Sequence, residues 1–388
     1  MADDRIRAGR REVLLGTLAA GAGLMTGAAG ADAPWKADEL ISAAVVRGDL
    51  PGAVLAVGHG GRVVHRGVFG YRALEPVREV MSPDTRFDMA SLTKVIVTAP
   101  SVMQLWERDL FRLDDPVSLY LPDFGVNGKR GLTIRQLLTH YSGLPPDVDL
   151  SDPWTGRDEG IRRAFASVPL CLPDTKFIYS DINFIVLGLL VEKLSGQRLD
   201  AYAQQHTLTP LGMSGSEFLP LQRQVSPEII APTQRDETGR FLRGVVHDPT
   251  SRRMGGVAGH AGLFSDAADM SLFAQSFMDR RAGRKSSFPL AQKTVLLMTT
   301  PQSPAGLAEQ RGLGWDISSH YATPRGDVFP VGSFGHTGFT GTSLWMDPAS
   351  DTWVLLLTNR VHPSGGGGEA IVHLRHEVAT AVARELAL

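Results

Sequence analysis

Residues 53–68 read Ala53-Val54-Leu55-Ala56-Val57-Gly58-His59-Gly60-Gly61-Arg62-Val63-Val64-His65-Arg66-Gly67-Val68. Two apolar, Val-rich runs flank His59-Gly60-Gly61, which predicts a β-hairpin. At the far end of the chain, Thr342 to Met346 and Trp353 to Thr358 are strand-like again. The turn Asp347-Pro348-Ala349-Ser350-Asp351 separates them. Between these ends the pattern is helical. Ala37 to Arg47 and Ser91 to Glu107 have helical length, and Thr133 starts a short helix from Ile134 to His140. Asp181 to Leu194 is apolar nearly all round, so a buried helix closed by Gly196 is expected. Ser265 reads as the N-cap of a helix from Asp266 to Met278. A last helix is expected from about Glu369 to Leu388, after the glycine-rich Ser364 to Gly368.

Strands at both ends and helices between them predict an α/β protein of the α+β type. One antiparallel sheet would be built from N- and C-terminal strands, with helices covering it. The sheet part falls at about 35–125 and 305–388, and a mostly helical insertion at about 126–304. A cleft between sheet and insertion is the natural pocket.

Composition limits the function. The chain has 388 residues, 43% hydrophobic and 21% charged, which excludes collagen-like, coiled-coil and disordered readings. The formal net charge of −2 gives no basis for binding nucleic acid. Cys171 is the single cysteine, so neither a disulfide framework nor a Cys-rich zinc site can form within one chain. It reads as a small buried hydrophobe rather than a nucleophile. No repeat is visible.

The first 31 residues look like an export signal. Arg5, Arg7 and the pair Arg10-Arg11 precede an uncharged stretch from Val13 to Met25, and Gly27-Ala28-Ala29-Gly30-Ala31 follows. The adjacent arginines are twin-arginine-like, and cleavage after Ala31 would leave residues 32–388 as the mature chain. A membrane anchor or a plain tail is the competing reading. Removal of the segment would leave no stable membrane span and a periplasmic or extracellular protein.

Three short motifs carry chemistry. In Ser91-Leu92-Thr93-Lys94 the serine stands where Phe87-Asp88-Met89-Ala90 turns into a helix, and Lys94 lies one turn on, on the same face. Packed among Val95, Ile96 and Val97, its ammonium is expected to lose pKa by desolvation and to relay the hydroxyl proton. The bland reading is a capping serine beside a surface lysine. Tyr179-Ser180-Asp181 opens the buried helix. A phenol there can act as acid or base beside a cation such as Lys94, while Asp181 serves equally well as an N-cap. His336-Thr337-Gly338 precedes the strand from Thr342, among glycines that let a ligand approach the backbone. That arrangement suits a substrate carboxylate or carbonyl, or equally a glycine-rich loop with a solvated histidine.

Together these motifs resemble the serine β-lactamase and penicillin-binding protein superfamily. The sequence is most similar to the class C β-lactamase branch, with its D-aminopeptidases, DD-carboxypeptidases and family VIII carboxylesterases. Its S-x-x-K, Y-x-N and K-T-G or H-T-G motifs occur in this chain order. The stretches Leu113 to Val117, Leu137 to Leu144, Pro210 to Met213 and Gly312 to Trp315 also fit.

The resemblance implies Ser91 as acylated nucleophile, with Lys94 and Tyr179 sharing acid and base work. It implies an oxyanion hole from the backbone N–H groups of Ser91 and Phe339. His336 would hold a substrate carboxylate or hydrogen-bond Tyr179, and Asp181, Thr337, Gly338 and His260 would touch substrate. No metal and no cofactor is required. The implied substrates are small esters, amides or peptides, most of all carboxylic esters or D-amino-acid peptides. A true β-lactamase and a penicillin-binding module that acylates without efficient turnover are the alternatives.

Two departures matter. Asp181 replaces an asparagine, so it cannot donate to a substrate carbonyl. His336 replaces a lysine, so it holds a carboxylate less firmly. Val245-Val246-His247-Asp248 and Gly259-His260-Ala261-Gly262 are unusual too. Both histidines could line the cleft or simply fix a glycine-rich loop, and His247, Asp248 and His260 lack zinc-motif spacing.

Overall fold

The structure is a computed structural model that describes residues 35–388. The expected export signal lies outside the described residues. In chain order the strands are β1 (Gly52–His59), β2 (Arg62–Ala73), β3 (Glu79–Val80), β4 (Phe87–Asp88), β5 (Glu217–Phe218), β6 (Leu263–Ser265), β7 (Gln310–Arg311), β8 (Asp316–Ser318), β9 (Phe334–Thr337), β10 (Ser343–Asp347) and β11 (Thr352–Thr358). The helices are α1 (Lys36–Arg47), α2 (Ala99–Glu107), α3 (Ile134–Thr139), α4 (Arg157–Ala166), α5 (Asp181–Ser195), α6 (Leu199–Ala203), α7 (Pro249–Arg253), α8 (Ala267–Arg281), α9 (Gln292–Met298) and α10 (Gly368–Glu385).

Eight strands form one sheet in the order β3-β2-β1-β11-β10-β9-β8-β7. All its pairings are antiparallel, and the first and last strands of the chain meet at its centre, with Ala53 opposite Thr358 and Leu55 opposite Leu356. The sheet expected from the chain ends is therefore present. Its central strands read as unbroken apolar runs because both faces are buried. Side chains alternate along a strand, so each run is divided between two cores. Ala53, Leu55, Val57, Trp345, Val354 and Leu356 pack with Ile41 of α1 and Leu374 and Val378 of α10. Val54, Ala56, Leu344, Met346, Leu355 and Leu357 enter the larger core with residues of α2, α5 and α8.

Local signals place several element ends. Thr133 caps α3 through a reciprocal capping box with Gln136. Gly196 ends α5 at φ 71°, in the left-handed region that favours glycine. The cap of α8 differs from expectation. Asp266, not Ser265, accepts the Asp269 N–H, because Ser265 is held in β6 opposite Phe87. Cys171 is only partly buried.

The buried helix α5 meets the loop that precedes β6 with almost no clearance. A Cβ on Gly259 would stand 2.0 Å from the Phe184 carbonyl oxygen and 3.0 Å from the Gly188 nitrogen. Thr98 Oγ1, on the helix that runs on from Ser91, donates to the Gly259 carbonyl at 2.6 Å. A side chain at 259 must therefore push two packed elements apart. Gly259→Ala is expected to lower stability by about 1–3 kcal/mol. A urea unfolding midpoint equal to wild type would show that this contact does not constrain the fold.

Candidate active site

Ser91 is presented on a turn built by its neighbours. Asp88 is fully buried, and its carboxylate accepts the N–H of Ala90 at 2.8 Å and that of His247 at 2.7 Å. Ala90 is held at φ 46°, a left-handed conformation that a residue with a Cβ adopts only under constraint. Burial raises Asp88 to about 6, and the two N–H donors oppose that rise. From the facing segment, Thr340 and Thr342 donate side-chain hydrogen bonds to the Asp88 and Met89 carbonyls at 2.7 and 3.1 Å. The serine turn is thus tied to the sheet before any substrate arrives.

Lys94 has no exposed side-chain surface. Its Nζ donates to Ser91 Oγ at 2.9 Å and to the His260 carbonyl at 3.1 Å. Asp181 Oδ1 lies 2.6 Å from the same nitrogen, an ion pair whose angle falls outside hydrogen-bond geometry. Burial is the largest single influence and works against the charge, but the Asp181 carboxylate and the Tyr179 oxygen together outweigh it and the Lys94 pKa is raised. The expected desolvated, low-pKa lysine is therefore not found. Ser180, rather than Asp181, occupies the N-cap position of α5, and Asp181 is committed to Lys94.

Tyr179 and His336 complete the group. Lys94 Nζ is 5.0 Å from the centre of the Tyr179 ring. The phenol is buried with no hydrogen-bond partner, and burial raises its pKa against the lowering effect of Lys94, so it is neutral. Its ring stacks on His140 at 4.4 Å, and the His336 ring centre is 5.9 Å away. His140 Nδ1 accepts the Ser180 N–H at 3.1 Å, which keeps that stacking surface in place. His336 Nδ1 lies 2.8 Å from the Thr337 carbonyl. A carbonyl only accepts, so Nδ1 carries the proton and the buried, unpartnered Nε2 presents a lone pair. Burial, then the charges of Arg311 and Lys94, lower the His336 pKa well below the ordinary range. It is a neutral acceptor, which fits a partner for the Tyr179 phenol and does not fit a cation for a carboxylate.

A cleft of about 600 Å³ opens over these groups. Ser91, Tyr179, Asp181, His336, Thr337, Gly338 and Phe339 all line it. A Cβ on Gly338 would stand 2.1 Å from Thr342 Oγ1 and 2.6 Å from the Met89 carbonyl, so the close approach of this strand end to the serine turn needs glycine. Among the described residues, neither the Ser91 N–H nor the Phe339 N–H is taken up by another protein group. His247 also reaches the cleft and stacks on Phe339 at 5.4 Å.

His260 does not reach it. It is 1% exposed and sits behind Lys94, with Nε2 2.8 Å from Asp248 Oδ1. Burial disfavours both charges, yet Asp248 raises His260 and His260 lowers Asp248. Candidate ligand atoms of Asp181, Asp248 and His260 lie within 4.8 Å of one another, but the Lys94 ammonium already occupies the cation position beside Asp181. Sequence reading missed Asp88, His140 and the cleft arginines Arg252, Arg311, Arg360 and Arg375. His140 lies inside the quoted Leu137 to Leu144 stretch, which was the one available signal for it.

Residues 37–378 match the family described as Beta-lactamase. An N-acetylmuramyl-L-alanine amidase of Bacillus subtilis (strain 168) is 33% identical over 362 residues, spanning 84% of this chain and 81% of that protein. An Escherichia coli (strain K12) protein provisionally named a D-alanyl-D-alanine carboxypeptidase is 31% identical over 308 residues, spanning 72% of this chain and 70% of its own length. Among solved structures, the octameric penicillin-binding protein homologue from Pyrococcus abyssi superposes with a TM-score of 0.70 at 24% identity, covering 91% of this chain and 77% of that one. EstCE1, a hydrolase with promiscuous acyltransferase activity, gives 0.71 at 23% identity, covering 89% and 97%. These two likenesses bear on the fold.

The geometry makes Asp181 the group that keeps Lys94 charged. In Asp181→Asn, burial is left without its main opponent, and the Lys94 pKa falls. The raised value in the wild type supplies stability below the unfolded lysine pKa of about 10.4, lost as pH rises through the folded value. The variant's stability deficit is therefore present at neutral pH and shrinks in alkali. Nitrogen NMR of the seven lysine side chains reads the titration directly, and an unmoved Lys94 signal would contradict this account.

Proposed function

The chain belongs to the beta-lactamase family and is a serine hydrolase of that kind, and on this premise we propose that it cleaves amide or ester bonds of small cell-wall fragments through an acyl-enzyme on Ser91. The observation that carries the reading is the buried Lys94 ammonium 2.9 Å from the Oγ of Ser91, a residue that lines the cleft. The names of the relatives, an amidase and a carboxypeptidase, favour amide bonds of muramyl or D-amino-acid peptides over β-lactams. The Asp181 carboxylate in place of an amide points the same way, because it offers no donor to a substrate carbonyl.

The proton movements follow from the resting charges. Lys94 is charged, Asp181 is its partner, and Tyr179 is a neutral phenol. On substrate binding the Lys94 ammonium passes one proton to the Asp181 carboxylate, and the freed nitrogen lone pair takes the Ser91 proton while Oγ bonds to the carbonyl carbon; Asp181 returns that proton to Lys94 when the cycle closes. The oxyanion is met by the N–H groups of Ser91 and Phe339. When the tetrahedral centre collapses, the carbon–nitrogen or carbon–oxygen bond breaks, and Tyr179 protonates the departing atom. The phenol is reprotonated from Lys94. The His336 Nε2 lone pair and the Tyr179 phenol are both unpartnered in the resting site, and His336 acts as a positioning residue if the phenol turns to donate to it. Water then attacks the acyl carbon, giving its proton back through the same groups.

We also propose export through the segment at residues 1–31. The arginine pair and the named cell-wall relatives support it, and among the described residues no helix is long and apolar enough to cross a membrane. N-terminal sequencing of exported protein should begin near Asp32. An intact Met1 on exported, active protein would sink the idea.

Ser91→Ala should abolish labelling by a fluorescent fluorophosphonate and all turnover. Lys94→Ala and Tyr179→Phe should each lower kcat by on the order of 10²-fold or more. Parallel assays on N-acetylmuramyl-L-alanine peptides, D-Ala-D-Ala peptides, p-nitrophenyl acetate and nitrocefin rank the substrates. Wild-type turnover in Ser91→Ala would refute the nucleophile, and nitrocefin as the preferred substrate would refute the substrate class.

A further inference from the structure

His260 reaches both members of the ion pair beside Ser91. Its backbone carbonyl accepts from Lys94 Nζ at 3.1 Å. Its ring belongs to a cluster in which one polar side-chain atom each of His260, Asp181 and Asp248 lie within 4.8 Å of one another. The residue is 1% exposed, and Nε2 is 2.8 Å from Asp248 Oδ1. A carboxylate only accepts, so Nε2 carries a proton. Nδ1 is buried and has no hydrogen-bond partner among the described residues.

The charges that face the ring come from four segments. Lys94 follows Ser91, Asp181 opens α5, Asp248 precedes α7, and Asp147 lies on the loop between α3 and α4. Asp147 accepts from the Thr250 hydroxyl at 2.9 Å; burial raises it to about 6, and His260 is the foremost charge opposing that rise. Beyond Asp248 stand Asp88 and Arg252. Three carboxylates therefore surround one ammonium and one imidazole. Such a group is short of positive charge, and a second proton on the imidazole supplies it. Burial opposes that proton, Asp248 and then Asp181 favour it, and Lys94 disfavours it.

We propose that His260 is a positioning residue: as an imidazolium held by Asp248, it keeps a further proton off the Lys94–Asp181 pair. The inference rests on the reading of that pair as the proton acceptor for Ser91. A pair that takes up one more proton is an ammonium beside a carboxylic acid, and Lys94 then has nowhere to pass its proton. A positive charge close by disfavours this uptake, so the imidazolium preserves the working form of the pair to lower pH. His260 does this from behind the cleft, through Asp181 and Lys94, without touching substrate.

Two substitutions separate charge from structure. His260→Gln keeps a donor for Asp248 and removes the charge. Asp248→Asn keeps the N-cap of α7, where Asp248 accepts the Ser251 N–H at 2.7 Å. The readout is the acid limb of kcat/KM for p-nitrophenyl acetate, which has no ionising group of its own, or of the rate at which a fluorophosphonate labels Ser91. In His260→Gln the limb should move to higher pH by about one unit or more, because a cation is lost and the Asp248 carboxylate is left unopposed. Adding Asp248→Asn should bring the limb part of the way back, whereas damage to the fold would accumulate. A limb that stays in place in His260→Gln, or moves further in the double variant, would overturn the proposal while hydrolysis itself persists. Nitrogen NMR of the imidazoles reads the same coupling from the other side and without turnover. In the wild type His260 should be doubly protonated at neutral pH, and Asp181→Asn should lower its midpoint, because the effect of Asp181 on it exceeds that of Lys94. A neutral His260 at neutral pH, or a midpoint unmoved in Asp181→Asn, rejects the proposal even where His260→Gln does not fold. If neither the ester nor the fluorophosphonate reacts with Ser91, the hydrolase reading fails instead, and the two NMR outcomes alone decide.

Discussion

A buried ammonium needs three hydrogen-bond or charge partners, and Lys94 finds them on three separate pieces of chain. Ser91 comes from its own helical turn, Asp181 from the start of α5, and the His260 carbonyl from the loop before β6. An isolated charge at this depth would cost several kcal/mol. The satisfaction of Lys94 therefore fixes where α5 and the 255–262 loop must lie relative to the serine. The glycine contact between α5 and that loop exists to permit the approach, and the Asp248–His260 pair behind it holds the carbonyl in place.

The sheet supplies the opposite wall. Its central strands are buried on both faces, so their register is set by two cores at once, and a slip of one residue would exchange them. The same register places His336 opposite Leu344, on the face turned toward the helical side. Tyr179 arrives from that side. The cleft is the seam between the third motif at the end of β9, with Thr337 and Gly338, and the helical side that carries Ser91 and Tyr179.

Electrostatics then assigns roles that chemistry alone would leave open. A histidine in the third motif could be a cation or an acceptor, and its hydrogen bond to the Thr337 carbonyl, with burial, makes it an acceptor. A lysine after a serine could be a free amine or an ammonium, and Asp181 makes it an ammonium. Lys94 and Asp181 thus form a buried ion pair beside Ser91, and the cleft is lined in addition by the guanidiniums of Arg252, Arg311, Arg360 and Arg375.

Much of this was legible in the chain before folding. The spacing of Ser91 and Lys94 makes them neighbours by helical geometry alone, the apolar runs at 53–57 and 353–358 announce buried strands, and Thr133 and Gly196 announce helix ends. These are short-range effects, set within a turn or a pleat. The charge state of Lys94, the tautomer of His336, the withdrawal of His260 from the cleft and the gathering of Arg360 and Arg375 beside Phe339 were not legible. Each depends on which groups distant in sequence come within a few ångströms and how much water is removed, and a pKa or an unpaired charge is a property of that assembled environment rather than of any residue in it.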